Sequence, residues 1–330
     1  MSAVAGYVAP SFSQDVDVHG LHIHVDTRGL DVDPARRLFA GFSSTAAGEP
    51  DLAIRIEASG ALPEASDFRP AFFQGNVRGL ERRGEFRLIA PAAEIAIAAD
   101  GRHIEARVDA GTLNERGFAN TTLFIAIAIA LRQRGLFHLH AGALVRGSGS
   151  RVLVMGDSGA GKSTVTLALL DAGSRHLGDD TLFLTERDGR PRLLAFARPF
   201  HLAPATAAAF PTLPATSRDA NGKSEVAIDA LPGHAVDRME APDLILFPVV
   251  TREPVTRAVP LDAAEAFGHA LRSSALVAVD GMTHKVEQLA LLRALLAKGR
   301  AFELQLGADW LADPAGAAAR LPWGTTQSDL

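Results

Sequence analysis

Residues 156–163 read Gly-Asp-Ser-Gly-Ala-Gly-Lys-Ser and match the pattern G-x-x-x-x-G-K-[ST] at every defined position. Successive backbone N–H groups in such a loop converge on phosphate oxygens, and the helix that follows adds the positive end of its dipole. Glycine is needed where the backbone turns tightly and lets a phosphate approach. Gly156, Asp157, Ser158, Gly159, Ala160, Gly161, Lys162, Ser163 and Thr164 are therefore the expected phosphate-binding residues. Lys162 is expected on the β- and γ-phosphates, and Ser163 as a ligand of Mg²⁺. The flanks fit. Residues 152–155 form a short all-apolar run, as a strand inside a buried sheet requires, and 163–170 read as a helix stopped at Gly173. A chain built round this loop is an α/β protein.

The chain has 330 residues, too many for one small core. Its pattern changes near residue 136. Before that point, 19–26, 51–57, 84–90, 94–98 and 102–108 show apolar–polar alternation, and Asp100-Gly101 is a hairpin signal. These features predict a strand-rich α+β domain over 1–135, its sheet antiparallel, with a buried helix over 118–134. After it, 136–145, 152–155, 181–185, 192–196, 244–250 and 301–306 read as strands. Residues 163–170, 262–276 and 283–298 read as helices, which gives a P-loop domain over 136–330. Residues 203–223, rich in Pro, Ala, Thr and Ser, read as a mobile helix-and-loop excursion.

Composition excludes several function classes. The formal net charge is −5, so no overall basic field favours nucleic acid as a partner. One Tyr and two Trp do not make a stacking platform for single strands. With no cysteine there is no disulfide scaffold, cysteine-ligated metal or thiol catalysis, and the chain suits the cytoplasm. The longest apolar run, 123–131, falls short of the roughly 20 residues a spanning helix needs. Residues 1–10 lack the basic start and apolar run of a leader. No membrane partner is expected.

Asp179 and Asp180 stand just before a predicted strand. A phosphoryl-transfer site needs a carboxylate for Mg²⁺, and a hydroxyl acceptor needs a base; two adjacent Asp can divide that work. Only Arg175-His176-Leu177-Gly178 precedes the pair, unlike the long apolar strand of an ordinary P-loop ATPase.

The segment 140–180, HAGALV…RVLVMGDSGAGKSTVTLALLDAGSRHLGDD, resembles the C-terminal catalytic domain of HPr serine kinase/phosphorylase and the wider group of related kinases. The resemblance is clear over about 40 residues, looser to residue 306 and weak over the first third. It implies a fold like that of phosphoenolpyruvate carboxykinase, with a mixed sheet around the loop. It also implies phosphoryl transfer from ATP to a serine-type hydroxyl of a protein, peptide or small molecule, and a homo-oligomer. On this resemblance Lys162 and Ser163 bind phosphate and Mg²⁺, and His140 lies near the phosphate site. Asp179 is the base and Asp180 the metal-binding or orienting carboxylate, with the exchanged assignment left open. The first 135 residues would recognise the acceptor or a partner. Thr164 stands where those enzymes commonly carry Glu. Their second, Glu- and Arg-containing signature and their basic stretch are absent, so the chain looks like a divergent member.

Two further cations are candidate catalytic groups. Arg198 follows a predicted strand, and Lys223 follows the Pro/Ala-rich stretch. Either reads as well as a solvated surface residue. His138 and His140 are expected on one strand face, at i and i+2. His19, His22 and His24 read as an edge-strand group rather than a metal site. Two alternatives to such a kinase stand: an ATP-binding regulatory module or weak ATPase without phosphotransfer, and another P-loop enzyme with a separate small-molecule acceptor pocket.

Overall fold

The computed structural model describes residues 10–323, except 32, 45–47, 59–61, 63, 65, 197, 219–221 and 232–235. The leader-free N-terminus expected over residues 1–10 lies, up to Ala9, outside the described residues. So do Ala197 and Asn221, close neighbours in the sequence of the candidates Arg198 and Lys223. The chain is a mixed α/β protein with several sheets, divided into two compact units. One comprises the residues up to Leu136 with Ala278–Lys285, the other Phe137–Val277 with Val286–Leu330.

The first unit is built on one eight-stranded sheet. Its order is Ser11–Val18, Leu21–Arg28, Leu52–Glu57, His103–Val108, Ala93–Ile97, Glu85–Ala90, Val77–Arg82 and Arg69–Gln74. The sheet is not purely antiparallel as expected. Leu52–Glu57 runs parallel to both of its neighbours. The connections on either side of it are long enough to return the chain in the same direction, which a tight hairpin cannot do. His19 does not belong to a strand. It forms the turn with Gly20, both at positive φ (57° and 89°), between Val18 and its partner Leu21. Across that hairpin the rings of His22 and His24 both bond Asp15 Oδ1, at 2.7 and 2.9 Å.

The helix Phe124–Arg132, continuous with wider turns over Phe118–Leu123, is buried along its whole length. It packs on Ala93–Ile97 and His103–Val108. Arg132 is buried with it, and its Nε donates to Thr283 O at 2.6 Å. The Thr283 hydroxyl in turn bonds Gln133 Oε1 at 3.0 Å. These bonds tie 278–285 to a unit distant from it in sequence.

The second unit centres on a six-stranded sheet ordered Arg175–Gly178, Ala141–Val145, Arg151–Met155, Leu244–Val250, Arg300–Leu306 and Arg257–Leu261. Arg151–Met155, Leu244–Val250 and Arg300–Leu306 are mutually parallel. Val152, Val154, Leu244 and Leu246 point to one face, against Val165 and Leu169 of the helix Lys162–Asp171 and against Trp310. Leu153, Met155, Ile245 and Phe247 point to the other, against the helices Ala263–Arg272 and Lys285–Leu296. Burial on both faces is why 152–155 and 244–247 are apolar throughout. Each buried Leu or Val contributes about 1.5–3 kcal/mol relative to an exposed one.

The single strand expected over 136–145 is two strands in two sheets. Phe137–Leu139 joins a four-stranded sheet with Leu182–Arg187, Arg190–Ala195 and Arg238–Glu240. Ala141–Val145 joins the six-stranded one. The break falls at His140, whose backbone N–H donates to Ser273 O (2.9 Å) and not to a ladder partner. Within 203–223 the chain forms the helix Pro204–Ala209. It also supplies Ala215–Arg218 to a three-stranded sheet with Phe200–Leu202 and Ser224–Val226. Among the described residues no helix is long and apolar enough to cross a membrane.

Candidate active site

The loop leaves the C-terminal end of Arg151–Met155 and enters its helix at Gly161, where φ is +103°. A side chain at Gly161 would be strained in that conformation, and its Cβ would run into Leu306 Cδ1. Leu306 and Val250 end the two parallel strands beside the loop, so three strand ends converge where open α/β sheets place their ligands.

Lys162, 4% exposed, donates to three acceptors: His140 Nε2 at 2.9 Å and the carbonyls of Gly156 and Asp157 at 3.1 Å each. Three donors on the ammonium meet three acceptors. The contacts of His140 fix its tautomer. Its Nδ1 lies 3.0 Å from Asp180 O, which can only accept, so Nδ1 carries the proton and Nε2 is free to accept from Lys162. The imidazole is therefore neutral. Burial lowers its pKa against the charge of Asp180, and the Lys162 charge adds to the lowering. Burial also lowers the pKa of Lys162, against the charges of Asp180 and Asp179.

The two aspartates are unlike. Asp180 is 39% exposed, with Oδ1 3.9 Å from both Lys162 Nζ and His140 Nδ1. Asp179 is 5% exposed, and neither carboxylate oxygen completes a hydrogen bond among the described residues; nor does the buried hydroxyl of Thr166. Burial, then the charge of Asp180, pushes the Asp179 carboxyl up to about 8, with Ser163 and Thr166 opposing the rise. Two orphaned carboxylate oxygens beside the Ser163 hydroxyl are a hard oxygen donor set of the kind Mg²⁺ takes.

The raised pKa sets a pH dependence. The folded chain keeps on Asp179 a proton that the unfolded chain, with the ordinary value of 3.8, releases. Stability is fully present below about 3.8, falls as pH rises toward 8 and levels off beyond. Without divalent cations, Asp179→Asn therefore raises Tm by an increment that grows from pH 4 to pH 8. An increment independent of pH, in thermal melts with chelator, would show that the carboxyl is not shifted.

A cavity of about 340 Å³ opens beside the loop. Its polar lining includes Lys162, Ser163, His140, Asp180, His201 and Lys223. The rest is mostly apolar and includes Ala203, Ala205, Val250, Leu306, Ala308, Trp310 and Leu311, with Thr206. Ser158, Gly159, Gly161 and Thr164 of the loop also face it. Asp179, buried, is not part of this lining.

The other candidates are placed as follows. Lys223 adjoins Ser224, which pairs with Leu202, so the small sheet carries Lys223 and His201 to the cavity together. Arg198 lies near Asp180 and His138 rather than on the cavity wall, and burial lowers it to about 10 against the pull of Asp180. His138 does not share a strand face with His140, because the strand ends at Leu139. It is half-buried beside Phe183, and desolvation first, then the charges of His140 and Arg198, lowers it to about 3. Thr164 Oγ1 bonds Thr206 Oγ1 at 2.8 Å, tying the loop helix to Pro204–Ala209. His201, Thr251, Trp310 and Leu311 line the cavity without having been singled out in the sequence. The ends of the 244–250 and 301–306 runs were a usable signal for Thr251 and Leu306, since ligands gather at the carboxyl ends of parallel strands. His201 and Trp310 had none.

No family model matches the chain, and no curated protein does. A solved structure to which it is similar is that of the Hpr(Ser) kinase/phosphatase from Coxiella burnetii. The match covers 37% of this chain and 70% of that one at 20% identity, with a TM-score of 0.23. A superposition that loose does not fix a shared fold.

Proposed function

We propose that this site binds Mg-ATP and transfers the γ-phosphoryl group to a serine-type hydroxyl of a protein, peptide or small molecule. The second unit would then be a P-loop kinase domain of the HPr-kinase-like, phosphoenolpyruvate-carboxykinase-like kind. The observation that carries this reading is Asp180, a carboxylate facing the cavity 3.9 Å from the ammonium of the phosphate-binding lysine. With Asp179 available to serve Mg²⁺, a second carboxylate there is placed to take the proton of an acceptor hydroxyl.

The geometry supports a division of labour. Lys162 and the loop N–H groups bind the β- and γ-phosphates and stabilise charge as it develops. Ser163 and Asp179 would hold Mg²⁺, which when bound neutralises charge on the transferring group. Asp180 orients the acceptor hydroxyl and takes its proton. The acceptor oxygen forms a bond to the γ-phosphorus, the bond from that phosphorus to the β,γ-bridging oxygen breaks, and its electron pair leaves with ADP. His140, neutral, positions Lys162. Lys223 and His201 add donors on the acceptor side.

The apolar wall supports a nucleoside subsite. Leu311, 43% exposed and lining the cavity, tolerates a polar substitution. Leu311→Ser, which adds no charge, is expected to weaken ATP binding about tenfold and to leave inorganic tripolyphosphate unchanged. Equal loss for both in calorimetric titrations would place the nucleoside elsewhere.

The test of the function is intact-mass and phosphosite analysis after incubation with Mg-ATP. The chain is assayed alone and with purified HPr, serine-ended peptides or free serine. Phosphate on one acceptor, lost in Lys162→Ala, is the expected result. Tight ATP binding with no transfer to any of them would favour the regulatory alternative.

A further inference from the structure

Ser273 follows the helix Ala263–Arg272 and is 3% exposed. Its carbonyl accepts the His140 backbone N–H at 2.9 Å, and its hydroxyl oxygen accepts the Gly156 N–H at 3.0 Å. Gly156 and His140 are also joined through Lys162, which donates to Gly156 O and to His140 Nε2. The four residues thus close a ring of hydrogen bonds: Ser273, Gly156, Lys162, His140 and back to Ser273. The helix that carries Ser273 is itself fixed. Asp262 and Glu265 form a capping box at its start, and Ala266 and Ala270 are buried in the core. At its other end Arg272 Nε lies 3.9 Å from Asp157 Oδ2, an exposed pair worth little by itself.

We infer that Ser273 is a positioning residue of this site. It sets the spacing between His140 and the first residue of the phosphate loop, and so the place of the Lys162 ammonium. The inference rests on the proposed ATP-binding reading. Ser273 touches no phosphate and takes no proton. It acts through Gly156 and His140: it accepts from the backbone N–H of each, beside the two bonds that Lys162 donates to Gly156 O and His140 Nε2. Removing the hydroxyl leaves a half-buried N–H of the loop without its acceptor, and the loop start loses its anchor.

The experiment compares wild type, Ser273→Ala and Ser273→Thr for binding of Mg-ATP and of inorganic tripolyphosphate. Amide hydrogen exchange over the loop is measured in the free protein. Ser273→Ala is expected to weaken both ligands about tenfold, leaving their ratio unchanged, because the ring serves the phosphates and not the nucleoside. Exchange is expected to quicken at Gly156–Gly161 and to stay as in wild type across Leu244–Val250. Ser273→Thr, which keeps the hydroxyl, is expected to restore affinity to within about threefold and to restore slow exchange. Wild-type affinity in Ser273→Ala would overturn the inference alone. So would a loss accompanied by faster exchange throughout the unit and not rescued by Thr, since that is a folding defect. Failure of the wild type to bind either ligand would overturn the ATP-binding reading, and the inference with it.

Discussion

On the proposed function, Lys162→Ala is expected to lower phosphoryl transfer by on the order of 10²–10³-fold, the usual cost of removing one preorganised donor to developing charge. The structure gives the reasons. The ammonium is 4% exposed, and its three hydrogens are held by His140 Nε2 and two loop carbonyls. A charge in so dry a place acts on a phosphate at low effective dielectric, so its loss is not made good by solvent. Lys162→Arg does not rescue. A planar guanidinium fork cannot meet three acceptors arranged around one nitrogen. Steady-state kinetics with the accepted hydroxyl compound, alongside thermal melts, check this. Transfer within about fivefold of wild type in either variant would remove Lys162 from the mechanism.

Asp180→Asn is the second large effect. Asparagine keeps the shape and loses the ability to take a proton, so transfer drops by roughly 10²–10⁴-fold. Mg-ATP affinity is expected to stay within about threefold, because on the proposed function the loop and Lys162, rather than this carboxylate, bind the phosphates. Asp179→Asn behaves differently: it raises the Mg²⁺ concentration needed for half-maximal activity, since Asp179 stands beside Ser163 and away from the cavity wall. The two variants are read in one assay, varying Mg²⁺ at saturating ATP. If Asp180→Asn transfers normally and Asp179→Asn does not, the carboxylates have the opposite roles. A normal profile in both would exclude base catalysis by this pair.

The loop was legible in the sequence because glycine spacing and a Lys-Ser end carry backbone geometry directly; Gly161 at φ +103° is such a case. The core strands were legible for a similar reason, since burial on both faces leaves no polar positions over 244–248. His140 was found, but its setting was not. A run such as 136–145 is apolar whether it is one strand or two, and only tertiary partners, Ser273 O and Asp180 O, decide where it breaks. The parallel pairing of Leu52–Glu57 was hidden likewise, because alternation reports which face is buried and not the direction of a neighbour. Arg257–Leu261 was missed because an edge strand with exposed positions has a weak pattern. The wall built by Ala308, Trp310 and Leu311 comes from a segment with no motif at all, brought in by the chain that follows Arg300–Leu306.

The break at His140 also bears on how such a chain can change in length. One residue separates the end of Phe137–Leu139 from the start of Ala141–Val145, and each strand is locked into a different sheet. Side chains alternate with a period of two, so one inserted or deleted residue there would turn every side chain of one strand to the wrong face. The turn at Ser148-Gly149-Ser150, a few residues on, is exposed at Ser148 and Gly149 and meets no such restriction. Drift in length is thus free at one end of the same hairpin and barred at the other. The barred end is where the imidazole meets the lysine, so the site's dimensions are protected by the pleat of the sheets as well as by its own contacts.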